Sequence, residues 1–198
     1  RGARRGGALG QRPVPQSYSY RVGSTGAGYG RRYVRTFAEG YYAINWREVE
    51  APMLRGIFAR LAARGASRSL DFACGTGRIL ELHQEAFDDI VGVDISPEML
   101  AYARGRYPDI RFVEGDLTRT SSIEAVNDRQ VCTAFRFFLN AEPSLRAEVL
   151  DVLRDCLVEG GVLVANFHGN PASLVGIVYP VRNRLAGREI NKLMREEE

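Results

Sequence analysis

The chain has 198 residues, a length typical of one domain, and its composition of 45% hydrophobic and 26% charged residues is typical of a folded globular protein. Its three cysteines form no C-x-x-C pair, which argues against a zinc site or a disulfide framework and favours a reduced, cytoplasmic setting without a metal. The net charge of +3 is distributed unevenly, because all eight charged residues of the first 38 are arginines and the rest of the chain is acidic.

Residues 1–38 are predicted to form a basic, flexible arm. The segment is rich in glycine and too poor in apolar residues to order itself, so its composition favours disorder over contact with nucleic acid or a membrane surface. An organelle transit peptide is less consistent with it, since an amphipathic pattern is lacking.

Residues 39–66 are predicted to form a helical cap. Val49, Met53 and Ile57 recur at helical spacing, and Gly65 stands where a helix would end. Pro52 is expected to divide the segment into two helices, because proline is tolerated only in the first turn.

Residues 67–198 are predicted to form the main domain. Apolar strands are expected over 69–72, 90–94, 110–116, 130–138 and 161–167, and helices over 77–87, 96–107, 121–126 and 143–157, the last ending at Gly160-Gly161. The uncharged run over 160–181 contains two prolines and reads as a strand and a loop, not a membrane span. The alternation predicts an α/β fold with a doubly wound, mostly parallel Rossmann-like sheet and helices on both faces.

The stretch LDFACGTGRIL falls where such sheets bind ligands, at the end of the first strand. Gly75 and Gly77 allow a tight turn that a ligand can approach closely, and a helix beginning near Gly77 would offer free N–H groups. A pyrophosphate or a carboxylate would fit equally, so the glycines alone do not identify the ligand.

Three acidic residues narrow the choice. Asp94, 17 residues after Gly77, is placed to accept hydrogen bonds from ribose hydroxyls, which also fits a nicotinamide dinucleotide. Asp116 is placed to receive an adenine amino group, and Asp71 would repel a pyrophosphate but attract a sulfonium ligand that carries an ammonium group. Each acid could instead be structural, Asp71 capping the turn and Asp94 capping the next helix.

Together, D-x-A-C-G-T-G, GVDISPEML and FVEGDLT resemble the class I S-adenosylmethionine (SAM)-dependent methyltransferases, over residues 66–170. The resemblance implies that SAM is the cofactor and methyl transfer the reaction. It implies that the strand-one loop lines the methionine part, through Asp71, Ala73, Cys74, Gly75, Thr76 and Gly77. It implies that Asp94 holds the ribose and that the adenine is surrounded by Ile95, Met99, Asp116 and Leu117. It also implies that Phe135 and Arg136 form the floor of the site.

The sequence departs from the family at two places. Ala73 replaces the usual first glycine, and alanine is small enough that we expect binding to survive. The chain stops at NKLMREEE, where the family continues into a closing antiparallel strand pair, so the sequence predicts a C-terminally truncated domain.

Fewer residues in the sequence indicate where the methyl acceptor would bind. His168 in NFHGN is a candidate general base, with a backbone-bonded loop histidine as the alternative, and His83 is expected to be a surface or packing residue. Tyr41, Tyr42 and Trp46 could cover the cofactor or simply pack their helix, and Asn140 in FRFFLN reaches the same cleft. That segment lacks the N-P-P-Y-type run of nucleobase and glutamine N-methylating families and resembles methyltransferases of small molecules.

The sequence therefore predicts a SAM-dependent methyltransferase acting on a small-molecule acceptor. A nicotinamide-dependent oxidoreductase is the second hypothesis, weakened by Ala73, Asp116 and the lack of a Tyr-x-x-x-Lys pair. A non-catalytic SAM- or RNA-binding module is the third. The oligomeric state is not predicted.

Overall fold

The computed structural model describes residues 20–23, 28–38, 40–119 and 126–167. In this part of the chain five strands form one parallel sheet in the order β3-β2-β1-β4-β5. They are β1 Arg68–Phe72, β2 Asp89–Asp94, β3 Arg111–Glu114, β4 Arg129–Ala134 and β5 Leu157–Ala165. The order reverses at β1, which confirms the predicted doubly wound, Rossmann-like α/β fold and places the ligand crevice of such folds at the carboxyl ends of β1 and β4.

The helices surround this sheet. They are α1 Tyr20–Gly23, α2 Tyr29–Ala38, α3 Gly40–Asn45, a π-helical turn Trp46–Glu50, α4 Ala51–Ala62, α5 Leu80–Gln84, α6 Pro97–Arg106, α7 Phe137–Asn140 and α8 Pro143–Cys156. Across the described ranges, no helix combines the length and the apolar character that a membrane crossing requires.

Adjacent residues of β4 show that both faces of the sheet are covered. Val131 belongs to a buried cluster with Leu54 of α4, whereas Cys132 belongs to a cluster with Val149 and Leu153 of α8. Because successive side chains of a strand point to opposite faces, α4 and α8 cover opposite faces of the sheet.

The helix predicted over 77–87 is shorter than expected. Residues 75–79 form turns, and α5 begins only at Leu80. The Gly77 N–H donates to the carbonyl of Cys74 at 2.9 Å, which closes the turn. The prediction of a helix N-terminus at Gly77 was wrong, because the tight turn continues past this residue.

The predicted end of the last helix at Gly160-Gly161 was also wrong. Helix α8 ends at Cys156, and β5 runs through both glycines. Gly160 has a φ of +76°, and the pairing of β5 with β4 changes register between Arg129 and Val131. The glycines therefore accommodate an irregularity inside a strand, a role that their spacing in the sequence does not distinguish from a helix end.

Helices α1, α2 and α3, called the N-terminal layer below, precede the π-helical turn. Helices α1 and α2 lie within residues 1–38, and the Tyr20 backbone N–H donates to Glu142 Oε1 at 3.1 Å. Pro52 lies in the first turn of α4 as predicted, and the break before it is a π-helical turn. The domain boundaries at residues 38 and 66 stay predictions.

Several sequence predictions concern residues outside the described ranges. These are the arm over 1–19, most of the helix over 121–126, His168, and the tail in which the closing strand pair was expected to be missing.

Candidate functional site

A cavity of about 420 Å³, called the main cavity below, opens at the carboxyl ends of the strands. It continues between the sheet and the N-terminal layer, where Tyr33, Phe37 and Glu50 form part of its wall. The sequence-predicted site residues that line it are Ala73, Gly75, Asp94, Ile95, Met99, Asp116, Leu117, Phe135, Arg136, Tyr42 and Asn140.

Other predicted residues lie elsewhere. Asp71, Cys74 and Trp46 line a separate void of about 20 Å³, called the small void, which Ala73, Phe135 and Arg136 also border. Thr76 lines a surface groove next to α6. Gly77 is buried beside Tyr107, and the side chain of Tyr41, like His168, is not described. Most residues predicted to bind the nucleoside therefore line one cavity, Asp71 lines the adjoining void, and their roles in binding stay predictions.

The two glycines of the loop have different roles. A Cβ on Gly77 would lie 2.7 Å from the Tyr107 ring, so its absence serves packing within the protein and not ligand approach. Gly75 lines the main cavity, and a Cβ there would meet only Met99 Cε at an ordinary 3.6 Å. Ala73 adopts a φ of +53°, a left-handed conformation that costs a non-glycine residue roughly 1–2 kcal/mol.

Asp94 ties this loop to the end of β2. Its Oδ2 accepts the Gly75 N–H and its Oδ1 accepts the Ser96 N–H, each at 2.8 Å. The Ser96 hydroxyl, not Asp94, caps α6 by accepting the Met99 N–H at 3.4 Å. Burial raises the pKa of Asp94, although the backbone N–H groups oppose the shift. A carboxylate has about four acceptor positions, so Asp94 keeps acceptor capacity toward the cavity.

Asp116 is closed off from one side by the N-terminal layer. Its Oδ1 accepts the backbone N–H and hydroxyl of Thr118, and its Oδ2 accepts Arg21 Nε at 2.7 Å. Burial opposes ionisation, but these hydrogen bonds outweigh it and lower the pKa of Asp116. Arg21 also reaches Glu148 at 2.8 Å. No sequence pattern indicated a role for Arg21, because this residue stands in the arginine-rich segment that was predicted to be disordered.

Asp71 lies beneath the loop with 1% of its surface exposed. Its Oδ1 accepts the Thr133 hydroxyl at 2.7 Å, and its Oδ2 has no hydrogen-bond partner within the described ranges. Burial raises the pKa of Asp71 to about 7, the negative charge of Asp94 adds to the shift, and Thr133 opposes it. Most buried polar oxygens have a hydrogen-bond partner, so this atom is a candidate contact for a bound ligand or water.

A buried chain of hydrogen bonds leads from Asp71 into the core. His83 Nε2 lies 3.0 Å from Thr133 Oγ1, and His83 Nδ1 lies 2.7 Å from Ser69 Oγ. Burial lowers the pKa of His83 to about 3, so the ring is neutral. When Asp71 is ionised and accepts the Thr133 proton, the tautomer consistent with these contacts has His83 donating from Nε2 to Thr133 and accepting the Ser69 proton at Nδ1. The prediction of His83 as a packing or surface residue missed this polar role.

The acceptor side combines aromatic rings with charge. Tyr42 lines the main cavity and is 40% exposed. Trp46 packs against Arg78, whose Cζ lies 4.6 Å from the centroid of the Trp46 ring. Tyr42 therefore lies on the wall of the main cavity and Trp46 packs against Arg78, and their roles toward an acceptor stay predictions. Phe37 was missed, although it follows Tyr33 at helical spacing on α2.

Comparison with known proteins agrees with this geometry. Residues 70–161 match a family described as a methyltransferase domain. A trans-aconitate 2-methyltransferase from Rhizobium etli is 32% identical over 121 residues, which cover 59% of this chain and 44% of that protein. The chain spans less than half the length of the first curated relatives it matches.

Solved structures show the same fold. A SAM-bound amino pentose methyltransferase from Micromonospora echinaspora, involved in calicheamicin biosynthesis, is 26% identical with a TM-score of 0.54, over 70% of this chain and 56% of that one. A magnesium protoporphyrin IX methyltransferase from Synechocystis PCC 6803 has a TM-score of 0.63 at 17% identity, over 89% and 82% of the two chains. The matched segment is similar to methyltransferase domains, and the sheet order and these neighbours show that the chain has the Rossmann-like fold of SAM-dependent methyltransferases.

Proposed function

We propose that this protein binds SAM in the main cavity and transfers its methyl group to a small-molecule acceptor. The observation that carries the proposal is the position of Asp94 and Asp116, which line one cavity at the ends of neighbouring strands, within the segment that matches methyltransferases. The names of the relatives, which specify trans-aconitate and an amino pentose as acceptors, support a small molecule in preference to a nucleic acid. We place the enzyme in the cytoplasm.

The nucleoside end of the main cavity fits the cofactor. Asp94 would accept the ribose hydroxyls, and Met99 and Leu117, 4% and 1% exposed, would supply apolar contacts to the adenine together with Ile95. Asp116 would bind the edge of the base, where Arg21 already fixes the orientation of its carboxylate.

The methionyl end fits through the strand-one loop. Gly75 offers an open backbone approach, and Ala73 lines both the main cavity and the small void. The unpartnered Oδ2 of Asp71 would receive the ammonium group, whose positive charge stabilises an ionised carboxylate. Cys74, Thr76 and Gly77 would act by shaping this loop.

SAM supplies a methyl group on a positively charged sulfur that leaves readily. When bound, it would supply this methyl carbon to the acceptor atom, and the electron pair of the carbon–sulfur bond would stay on sulfur. The protein's part is to hold the acceptor in line and to exclude water, and Phe135 and Arg136 form the floor for this. Tyr42 and Asn140 would form the acceptor wall with Tyr41 and Trp46, and His168 is the proposed base for an acceptor that must lose a proton.

Isothermal titration of the purified protein with SAM, S-adenosylhomocysteine and NADH tests the proposal. We expect saturable binding of the first two and none of NADH. Binding of NADH without SAM would favour the oxidoreductase hypothesis and overturn the proposal. Methyl incorporation from labelled SAM into small metabolites of a cell extract would then identify the acceptor.

A further inference from the structure

Two arginines meet at the boundary between the main cavity and the small void. Arg136 lines both spaces, and Arg78 lines the small void beside it. The sequence analysis and the proposed function use Arg136 only as part of the floor of the cofactor site, and they give Arg78 no role.

Arg136 is held rigidly. Its backbone has a φ of +64°, its N–H donates to Asn166 Oδ1 at 2.6 Å, and its carbonyl accepts Asn140 Nδ2 at 2.5 Å. The guanidinium stacks on the Phe37 ring at 4.3 Å and on the Tyr42 ring at 5.2 Å. Stacking and backbone bonds together preorganise a planar cation at the cavity wall.

Arg78 lies beside it with an unused donor. Its Nη2 donates to the carbonyl of Tyr42 at 3.0 Å, whereas the buried Nη1 has no hydrogen-bond partner among the described residues. Burial lowers the pKa of Arg78, and the positive charge of Arg136 adds to the shift. Two cations therefore share a partly dehydrated site, which favours the binding of an anion.

The described acids neutralise this pair only in part, since one carboxylate, that of Glu50, acts on both arginines. Glu50 Oε2 lies 3.6 Å from Arg136 Nη2, with 15% and 19% of the two side chains exposed. Among residues 20–23, 28–38, 40–119 and 126–167, no acidic side chain forms an ion pair with Arg78. Asp71 borders the same void, and at a pKa of about 7 it is only partly ionised near neutral pH.

We propose that Arg136 and Arg78 form a carboxylate-binding site at the methionyl end of the main cavity. The void of about 20 Å³ is of the size that one water molecule or one carboxylate oxygen requires. A planar carboxylate matches the guanidinium fork, whereas a phosphate dianion would meet stronger repulsion from Asp71 and Glu50. The inference rests on the proposed function, because the carboxylate belongs either to the amino-acid end of SAM or to the acceptor.

The decisive experiment compares SAM with decarboxylated SAM by isothermal titration. If the site binds the cofactor, decarboxylated SAM should bind the wild type about 10–100-fold more weakly than SAM, the range expected for a lost charge-assisted hydrogen bond. Arg136→Met and Arg78→Met should lose a similar factor for SAM and bind both ligands alike. Arg136→Lys, which keeps the charge without the fork, should fall in between, and Arg60→Met on the exposed face of α4 should match the wild type.

A second arm tests an acceptor carboxylate. Benzoate is titrated into the protein loaded with S-adenosylhomocysteine, and binding that disappears in Arg136→Met supports this source when SAM and decarboxylated SAM bind the wild type alike. The proposal is overturned if the two SAM forms bind alike and benzoate does not bind. Absence of any SAM binding would instead reject the proposed function itself. The wild-type comparison of ligands does not depend on whether a variant folds.

Discussion

The two ends of the main cavity carry carboxylates in opposite states. At the proposed adenine end, Asp116 is partly exposed and held by Thr118 and Arg21, so its pKa is lowered. Next to the proposed methionyl end, Asp71 is buried, one of its oxygens has no partner among the described residues, and burial raises its pKa to about 7. Both residues are aspartates at or near the end of a strand, so the surroundings of each carboxylate, and not its place in the sequence pattern, determine its pKa.

The two acids are therefore expected to have different roles. The charge of Asp116 is already balanced by Arg21, so this residue mainly fixes the shape of the cavity wall. Asp71 Oδ2 has no partner among the described residues, so this residue is the better partner for a positively charged ligand group. Asp94 lies between them and joins the loop to β2 through Gly75 and Ser96. The following predictions test this contrast, from the largest expected effect to the smallest.

Asp94→Ala should have the largest effect on binding. It removes the proposed ribose acceptor and leaves two buried N–H groups without their partner, so SAM should bind roughly 1–3 kcal/mol more weakly. Titration calorimetry measures this, with Asp109→Ala at an exposed position as the control. An unchanged affinity would remove Asp94 from the site.

The state of Asp71 should make SAM binding depend on pH. Because SAM would bind the ionised form and the free protein has a pKa of about 7, affinity should be about tenfold weaker at pH 6 than at pH 8. Asp71→Asn should bind SAM more weakly and lose this part of the slope, and any slope that it retains belongs to the ligand or other groups. An identical pH profile in the two proteins would refute the role of Asp71.

Asp71→Asn, which should weaken SAM binding, should by contrast increase the stability of the ligand-free protein. Because the pKa is raised on folding, Asp71 keeps its proton in the folded protein at pH values where the unfolded chain has already released it. The contribution of Asp71 to the free energy of unfolding is therefore full below about pH 3.8, and it declines as the pH rises through about 7. Without ligand, Asp71→Asn should therefore be roughly 1–3 kcal/mol more stable than the wild type at pH 8. Urea unfolding at pH 8 checks this, and a less stable variant would contradict it.

At the adenine end the expected effect is smaller. Arg21→Ala removes a partly buried pair with Asp116, 22% and 16% exposed, and should lower the free energy of unfolding by about 0.5–1 kcal/mol. Arg47→Ala, whose pair with Glu48 is 72% and 59% exposed, is the matched control and should have almost no effect. Equal losses in the two variants would show that α1 does not stabilise this end.

Ala73→Gly should have the smallest effect. Glycine relieves the left-handed strain of roughly 1–2 kcal/mol but loses roughly 0.5–1 kcal/mol through its greater freedom in the unfolded chain. We expect a stabilisation of about 0.5 kcal/mol with SAM affinity retained, measured by thermal unfolding and calorimetry. A destabilised variant would show that the methyl group packs usefully in the loop.

The sequence predicted those features that local pattern determines. Strand periodicity placed the sheet, and the helix cap at Ser96 and Pro97 was predicted where α6 begins. It could not predict that Gly77 serves Tyr107, or that Arg21 crosses to Asp116, because both contacts join segments far apart in the chain. The wall of Tyr33, Phe37 and Glu50 was missed for the same reason.

A co-crystal structure with S-adenosylhomocysteine tests the central claim most directly. We predict ribose hydroxyls within hydrogen-bond distance of Asp94, the adenine between Met99 and Leu117, and the amino-acid end beside Asp71. A nucleoside that lies outside the cavity at the strand ends, or one that leaves Asp94 without contact, would contradict the account.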